Sequence, residues 1–498
     1  MLEPLYQDIF KAFLPELILA GTVLFVLLFD LGWLSDAPMA RRRTVAGGLS
    51  FLGCLAAFFL CFRSQLEIRL SQGMLNVDSL SLLLVSVILV LTGISILLAI
   101  ESLESPHVGE FFSIILLATI GLLILVSSEN MLMIFLGMEL TSLSLYILTA
   151  FDKRRVQSIE AALKYFLFGG LSAAVLLFGL SLIYSTTGET DLKEVYWILI
   201  AKGPLPIGVL GMIMVIAGFG FKIAAVPFHL WAPETYEGAP APSAAFIASV
   251  SKVAGFMVTA KFLLVGLFGM MGSAAWYLIR PGWAPILAVM AAFSMVLGNF
   301  AAIRQVGLRR LLAYSAIAHS GYMLLGIISQ NSGARGALIY YVTTYAAAMI
   351  GAFAVVHLLE SQRGNDRLSS LRGLFQSSPV TSLCFGVFIF SLAGIPPLAG
   401  FFGKFYLFAE ALEPASGVFG LFWLVGLAVI TSVVSFYYYL KVLKQVFVME
   451  AMPDTRSFAT PPFTPFILVL IASGILLLGC FPHWFTRLIE PAMKAHGF

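Results

Sequence analysis

Charge is what this chain has least of. Asp, Glu, Lys and Arg make up 11% of its 498 residues, against about 25% in soluble domains. No polar stretch runs beyond about 20–25 residues, well short of the ~50 that a small domain needs, so a separate soluble domain is excluded. Cysteine is scarce as well. Cys54, Cys61, Cys384 and Cys480 show no ligand-like spacing and read as small core residues. A phosphate-binding glycine loop, a dinucleotide fingerprint, a metal box and a nucleophile elbow are all missing. Gly218-Phe219-Gly220 is only a GxG and carries no weight. Glu3 and Asp8 precede the first apolar run without a basic segment ahead of them, which argues against a cleavable leader.

What remains is apolar. Hydrophobic residues make up 60% of the chain, and the mean hydropathy is +0.97. The runs are apolar all round for about 20 residues, the length a bilayer requires. Strands of a membrane barrel would instead alternate over about 10. The expected fold is therefore an all-α polytopic membrane protein of about fourteen transmembrane helices. The spans are expected near 9–31, 44–62, 76–100, 110–127, 130–150, 159–185, 206–229, 242–269, 284–303, 308–329, 335–359, 379–412, 417–447 and 463–482. Loops after odd-numbered spans carry 15 basic residues, in clusters such as Arg41–Arg43, Lys153–Arg155 and Arg304 with Arg309 and Arg310. The other side carries 9, among them Arg63, Arg69, Lys193 and Lys494, although Arg456 adds to the first group. Basic loops stay on the cytoplasmic side, so both termini are expected outside.

Two spans contain breakers. Pro227 interrupts one, and Gly394, Pro396 and Pro397 interrupt another. Proline removes a backbone donor and clashes with the preceding turn. At membrane depth, the freed groups survive only inside protein or beside a wet cavity. Pro227 and Pro396 lie 169 residues apart, close to the offset of about 174 between the starts of spans four and nine. This pattern predicts two inverted five-helix repeats, each with a broken helix. The expected divisions are 1–109 (three helices), 110–269 (first repeat), 284–448 (second repeat) and 449–498 (last helix and tail).

Five lysines fall inside the apolar runs: Lys164, Lys222, Lys252, Lys261 and Lys404. A charge at the bilayer centre costs about 2.5–3.5 kcal/mol on insertion scales, so such residues mark polar pathways. Glu139 stands near the middle of its span. Lys222 precedes Pro227 by five residues, which places an amine beside freed carbonyls, and a contact with Glu139 is chemically attractive. Lys252 lies roughly ten residues into its span, about 15 Å deep. Lys261 is nine residues further on, where snorkelling to the interface is the plainer expectation. Lys404 follows the second break, with Gly400 and Gly403 clearing space beside it. His319 lies between the two breaks in sequence and suits a proton relay. Asp30, Asp78, Glu101, Glu129 and Glu160 fall at span ends, where a solvated position is expected. His229, Trp231, Glu234, Tyr236 and Glu237 are expected to form a loop.

Three stretches carry a resemblance: FKIAAVPFHLWAPETYEGAPAPSAAFIASVSKVAGF, LLAYSAIAHSGYMLLG and SLAGIPPLAGFFGKFYLF. The chain resembles the antiporter-like membrane subunits of respiratory complex I, NADH–quinone oxidoreductase, along nearly its whole length, and specifically the subunit N branch. Subunit M has Glu where Lys404 stands, and subunit L carries a long lateral helix, whereas this chain stops at Phe498. The resemblance implies proton translocation along an intramembrane axis, coupled to quinone reduction elsewhere. Glu139 matches the family's ion-pair acid, Lys222 its partner, Lys252 the central lysine and Lys404 the terminal lysine. Lys164 matches a further axis lysine, and His319 an axis histidine. It also implies a non-redox subunit of a translocase, with NADH, FMN, iron–sulfur clusters and quinone on other subunits and no cofactor or metal on this one. Expected partners are other membrane-arm subunits, especially subunit M and the small subunits on the quinone side, together with the lipid bilayer of a bacterial inner membrane. No nucleic acid is expected. A cation/proton antiporter subunit of the multi-subunit type is the alternative.

Overall fold

A computed structural model describes residues 2–63, 67–70, 73–276, 278–329, 331–412, 420–450 and 461–496. Arg456 and Phe498, used above, lie outside the described residues, as do the side chains of Glu3, Arg63 and Lys494. The chain is an all-α membrane protein. Among the described residues, eleven helices are long and apolar enough to span a bilayer, and a twelfth counts if the bent pair Thr464–Cys480 and His483–Met493 is one span. Pro206–Lys222 and Pro379–Ala393 are shorter apolar helices that stop at the two proline sites.

The chain divides into two compact units. The first comprises Met1–Lys222, Val250–Met271 and Leu488–Phe498, and the second Ile223–Ser249 and Gly272–Arg487.

In the first unit, local sequence sets the helix starts. Asn130 opens the Met131–Thr149 helix by accepting from Leu132 N at 3.0 Å and Met133 N at 3.4 Å. Asp78 opens Ser79–Ser102 by accepting from Ser81 N at 2.8 Å. Such caps satisfy donors that the first turn leaves free. Small residues then bring backbones together, as membrane helix pairs favour. A methyl at Gly137 would lie 3.0 Å from the Gly121 carbonyl oxygen, which fixes the Glu139 helix against Val108–Ser127. Gly179 and Gly211 approach each other likewise, each 2.9 Å from the other's carbonyl oxygen. That contact seats Pro206–Lys222 on Val156–Thr187. A short hairpin pairs Ile68–Arg69 with Asn76–Val77.

In the second unit, the helix Trp231–Gly238 replaces the loop expected there. It is pinned by Arg309, a residue counted above with the basic loops but buried to 1% exposure. Arg309 donates to the carbonyls of Tyr236, Glu237 and Ala239 and pairs with Glu360. The span expected at 242–269 is present as Ala241–Gly266, one of the eleven, with a local interruption where the chain passes from the second unit to the first. It reads Ala241–Ala248, then Val250–Lys261, then a wide turn at Phe262–Gly266. Ser249, at φ −119° and ψ −81°, makes the interruption, and no proline announces it.

Packing at the second break leaves no room for a side chain at Gly400, where a methyl would overlap the Ser391 carbonyl oxygen. Gly426 has nothing within 4 Å. Gly400→Ala should destabilise the protein by about 1–3 kcal/mol through overpacking, while Gly426→Ala should not. Thermal unfolding of the two purified variants checks this, and equal midpoints would contradict the close packing.

Candidate functional site

The first unit gathers an acid and three buried lysines. Glu139 is half-buried on Met131–Thr149, and Ser142 lies one turn further along the same face. Lys222 ends the Pro206–Lys222 helix with 5% exposure. Its Nζ donates to Ser142 Oγ at 3.3 Å. It also interacts electrostatically with Glu139, without ion-pair contact inside 4 Å. Lys222 is thus the last residue of its own helix, and its amine reaches across to the helix that carries Glu139. Lys252 is 1% exposed, three residues after the Ser249 interruption. Lys164 differs. Its side chain is 39% exposed and pairs with Glu160 at 2.7 Å, an i,i+4 surface pair of the kind worth little.

Lys261 does not snorkel. It is 2% exposed, its Nζ donates to the Val126 carbonyl, and it interacts electrostatically with Glu129 and Asp78. Those two carboxylates are not solvated ends either. Glu129 is fully buried and Asp78 is 8% exposed. Asn76 Nδ2, from the hairpin, donates to Glu129 Oε1 at 3.0 Å and Asp78 Oδ2 at 3.1 Å. Lys193 Nζ lies 3.2 Å and Arg69 3.5 Å from Glu129 Oε2, and Arg69 bonds Asp191 at 2.8 Å. Asp30 is likewise buried, accepting from Arg42 at 2.6 and 2.8 Å and from Gly109 N at 2.9 Å. In each case a partner from another element encloses the carboxylate, which position along one span could not reveal.

The second unit holds the rest. At the first break, Ala224 lies at φ +55°, and its neighbours' backbone groups are met by serines. Ser320 Oγ donates to the Ile223 carbonyl at 2.7 Å, and Val226 N donates to Ser294 Oγ at 2.9 Å. At the second break, Gly394 closes Pro379–Ala393 with φ +85°. Lys404 reaches back from Ala399–Leu412 to the carbonyls of Leu392 at 3.1 Å and Ala393 at 3.0 Å, and to Ser432 Oγ at 3.3 Å. Its Nζ stands 5.3 Å above the Tyr322 ring. Gly394 is packed against this side chain, since a methyl there would lie 3.0 Å from Lys404 Cδ. Gly403 makes room for Tyr341 rather than for open space.

His319 is 2% exposed, with Nδ1 2.6 Å from the Tyr341 hydroxyl and Nε2 3.1 Å from that of Tyr439. Tyr439 also bonds Ser315. The Tyr322 hydroxyl joins Asn299 Nδ2 at 3.0 Å and Thr431 Oγ1 at 3.3 Å, and Tyr438 donates to Asn299 Oδ1 at 3.1 Å. Sequence reading missed these tyrosines because an aromatic in an apolar run looks like core. The polar Asn299 and the run Phe436–Tyr439 were the available signals. Among the described residues, no group of three or more His, Cys, Asp or Glu is placed to hold a metal ion.

The family model described as NADH:quinone oxidoreductase/Mrp antiporter, TM, matches residues 128–435. The chain is 48% identical to NADH-quinone oxidoreductase subunit N 2 of Acidobacterium capsulatum, covering 97% of this chain and 98% of that one. It is 35% identical to F(420)H(2) dehydrogenase subunit N of Methanosarcina mazei over 97% of both. Among solved structures, a chain of respiratory complex I from Thermus thermophilus with bound aureothin aligns with TM-score 0.76 and 31% identity, covering 95% of this chain and 98% of that one. A chain of the Mrp complex from Dietzia aligns with TM-score 0.81 at 19% identity over 97% of both, a likeness of fold.

Replacing Lys261 by Met should leave the Val126 carbonyl without its donor and remove a cation in range of Glu129 and Asp78, at a cost of about 1–3 kcal/mol. Adding Glu129→Gln should recover part of that loss. A double-mutant cycle on thermal stability measures the coupling, and strictly additive effects would contradict the grouping.

Proposed function

Because the chain belongs to the NADH:quinone oxidoreductase/Mrp antiporter membrane family, and within it to subunit N of NADH-quinone oxidoreductase, we propose that its buried lysines carry protons through the membrane while quinone is reduced on other subunits. The observation that carries this reading is the placement of Lys222 and Lys404. Each is buried at a helix break: Lys222 ends its helix and bonds Ser142 Oγ on another, and Lys404 bonds the last carbonyls of the helix before the second break. Because these partners sit on other helices or at helix ends, a small movement of a half-helix changes the surroundings of each amine.

In the first unit, Lys222 rests on Ser142 with the Glu139 carboxylate in electrostatic range. Closing that gap would favour the ammonium, and opening it would free a proton for transfer to Lys252. In the second unit, His319 with Tyr341 and Tyr439 forms a hydrogen-bonded relay that can accept at one ring nitrogen and donate at the other. Lys404 serves as a terminal carrier. Lys164, at the surface of this chain, would act towards a neighbouring subunit. Moving one charge against 100 mV requires about 2.3 kcal/mol, so the proton must not slip back, and burial of each carrier supplies that barrier.

In this reading the chain itself binds no NADH, FMN, iron–sulfur cluster or quinone. It works as a non-redox subunit of the translocase, between subunit M and the small subunits on the quinone side. It lies in a bacterial inner membrane with both termini outside, and its broken helices belong to two inverted repeats, 110–269 and 284–448.

The assembled complex reconstituted in vesicles tests this. Lys222→Met and Lys252→Met should each abolish proton pumping by this subunit and lower the protons moved per NADH. Undiminished pumping by both would overturn the relay. Sodium-dependent exchange without any redox donor would favour an antiporter instead.

A further inference from the structure

Glu16 takes no part in the scheme above, yet it is a carboxyl buried to 6% exposure near the start of the Leu14–Gly32 helix. Its Oε2 has no hydrogen-bond partner among the described residues. It lines a cavity of the first unit that leaves about 40 Å³ for water centres, room for roughly three waters at 10–15 Å³ each. The Ser81 hydroxyl, 2% exposed and also without a partner among the described residues, lines the same space. Cys61, Val85 and Ser127 complete much of the wall, and Lys11, itself exposed, gives it an opening. Two buried polar groups without a hydrogen-bond partner among the described residues thus line one small space. Leaving such groups unmet costs about 1–3 kcal/mol each, and more for a charged one.

We propose that this cavity is a hydrated proton-binding site centred on the Glu16 carboxyl. Water in the cavity satisfies Oε2 and the Ser81 hydroxyl together. The carboxyl takes up a proton from that water and returns it, with no other bond made or broken, and Lys11, which lines the same cavity, is the cation that faces it. The wall also runs along the chain into a neighbouring charged group. Val77 precedes Asp78, and Ser127 follows Val126, whose carbonyl receives Lys261. The site therefore adjoins the Lys261, Glu129 and Asp78 group, and serves it as a proton reservoir. That last role rests on the pumping reading.

Dicyclohexylcarbodiimide, an apolar reagent that adds across protonated carboxyls, probes the site in the assembled complex in membranes. Peptide mass spectrometry should find the adduct on Glu16, with labelling lost in Glu16→Gln. Absence of the adduct in the folded chain, when the unfolded chain is labelled, overturns the site. Glu16→Gln should also lower the protons pumped per NADH at least twofold, and Glu16→Asp should restore them. Unchanged pumping in Glu16→Gln overturns the reservoir role. If Glu16→Gln fails to assemble, labelling of the unaltered complex decides. Pumping that survives in the Lys222 and Lys252 variants bears on the relay alone and leaves the labelling result untouched.

Discussion

An ammonium group inside an apolar chain must be given acceptors or it will not stay. Four lysines here are buried to 5% exposure or less. Lys222 has a serine hydroxyl near Glu139, Lys261 a backbone carbonyl with two carboxylates in range, and Lys404 two carbonyls plus a hydroxyl. For Lys404, a broken helix is what makes the carbonyls available. An intact helix uses its carbonyls internally, whereas a helix stopped at a proline or an αL glycine exposes its last ones. The second unit places Lys404 beside such an end.

That placement depends on close backbone contact. Gly121 with Gly137 and Gly179 with Gly211 let helices approach where any side chain would hold them apart. Between apolar helices in lipid, packing and interhelical hydrogen bonds supply the attraction. The position of Glu139 relative to Ser142 and Lys222 is thus set by residues that do no chemistry. The tyrosines around His319 have a comparable role in the second unit, because they fix both ring nitrogens while remaining able to pass a proton.

Much of this was legible in the sequence, for physical reasons. Proline lacks an N–H wherever it stands, so Pro227 and Pro396 with Pro397 predicted the breaks. A lysine amid twenty apolar residues has little choice but burial or function, which marked Lys222, Lys252 and Lys404. What escaped depends on contacts between distant elements. The Ser249 interruption has no local breaker. Lys261 looked able to reach the interface, but packing against Val126 encloses it. Asp78 and Glu129 looked solvated at span ends, yet the hairpin carrying Asn76 covers them. Arg309 looked like a loop cation and instead holds a helix by its carbonyls. Lys164, which matches a further axis lysine, has a half-exposed side chain paired with Glu160 in this chain.

Redox-difference infrared spectroscopy on the complex with ¹⁵N-labelled lysines addresses most directly whether these amines change protonation during turnover. The account predicts isotope-sensitive ammonium bands that appear or vanish when quinone is reduced and that weaken when Lys252 and Lys404 are replaced. A difference spectrum free of isotope-sensitive ammonium bands would contradict it.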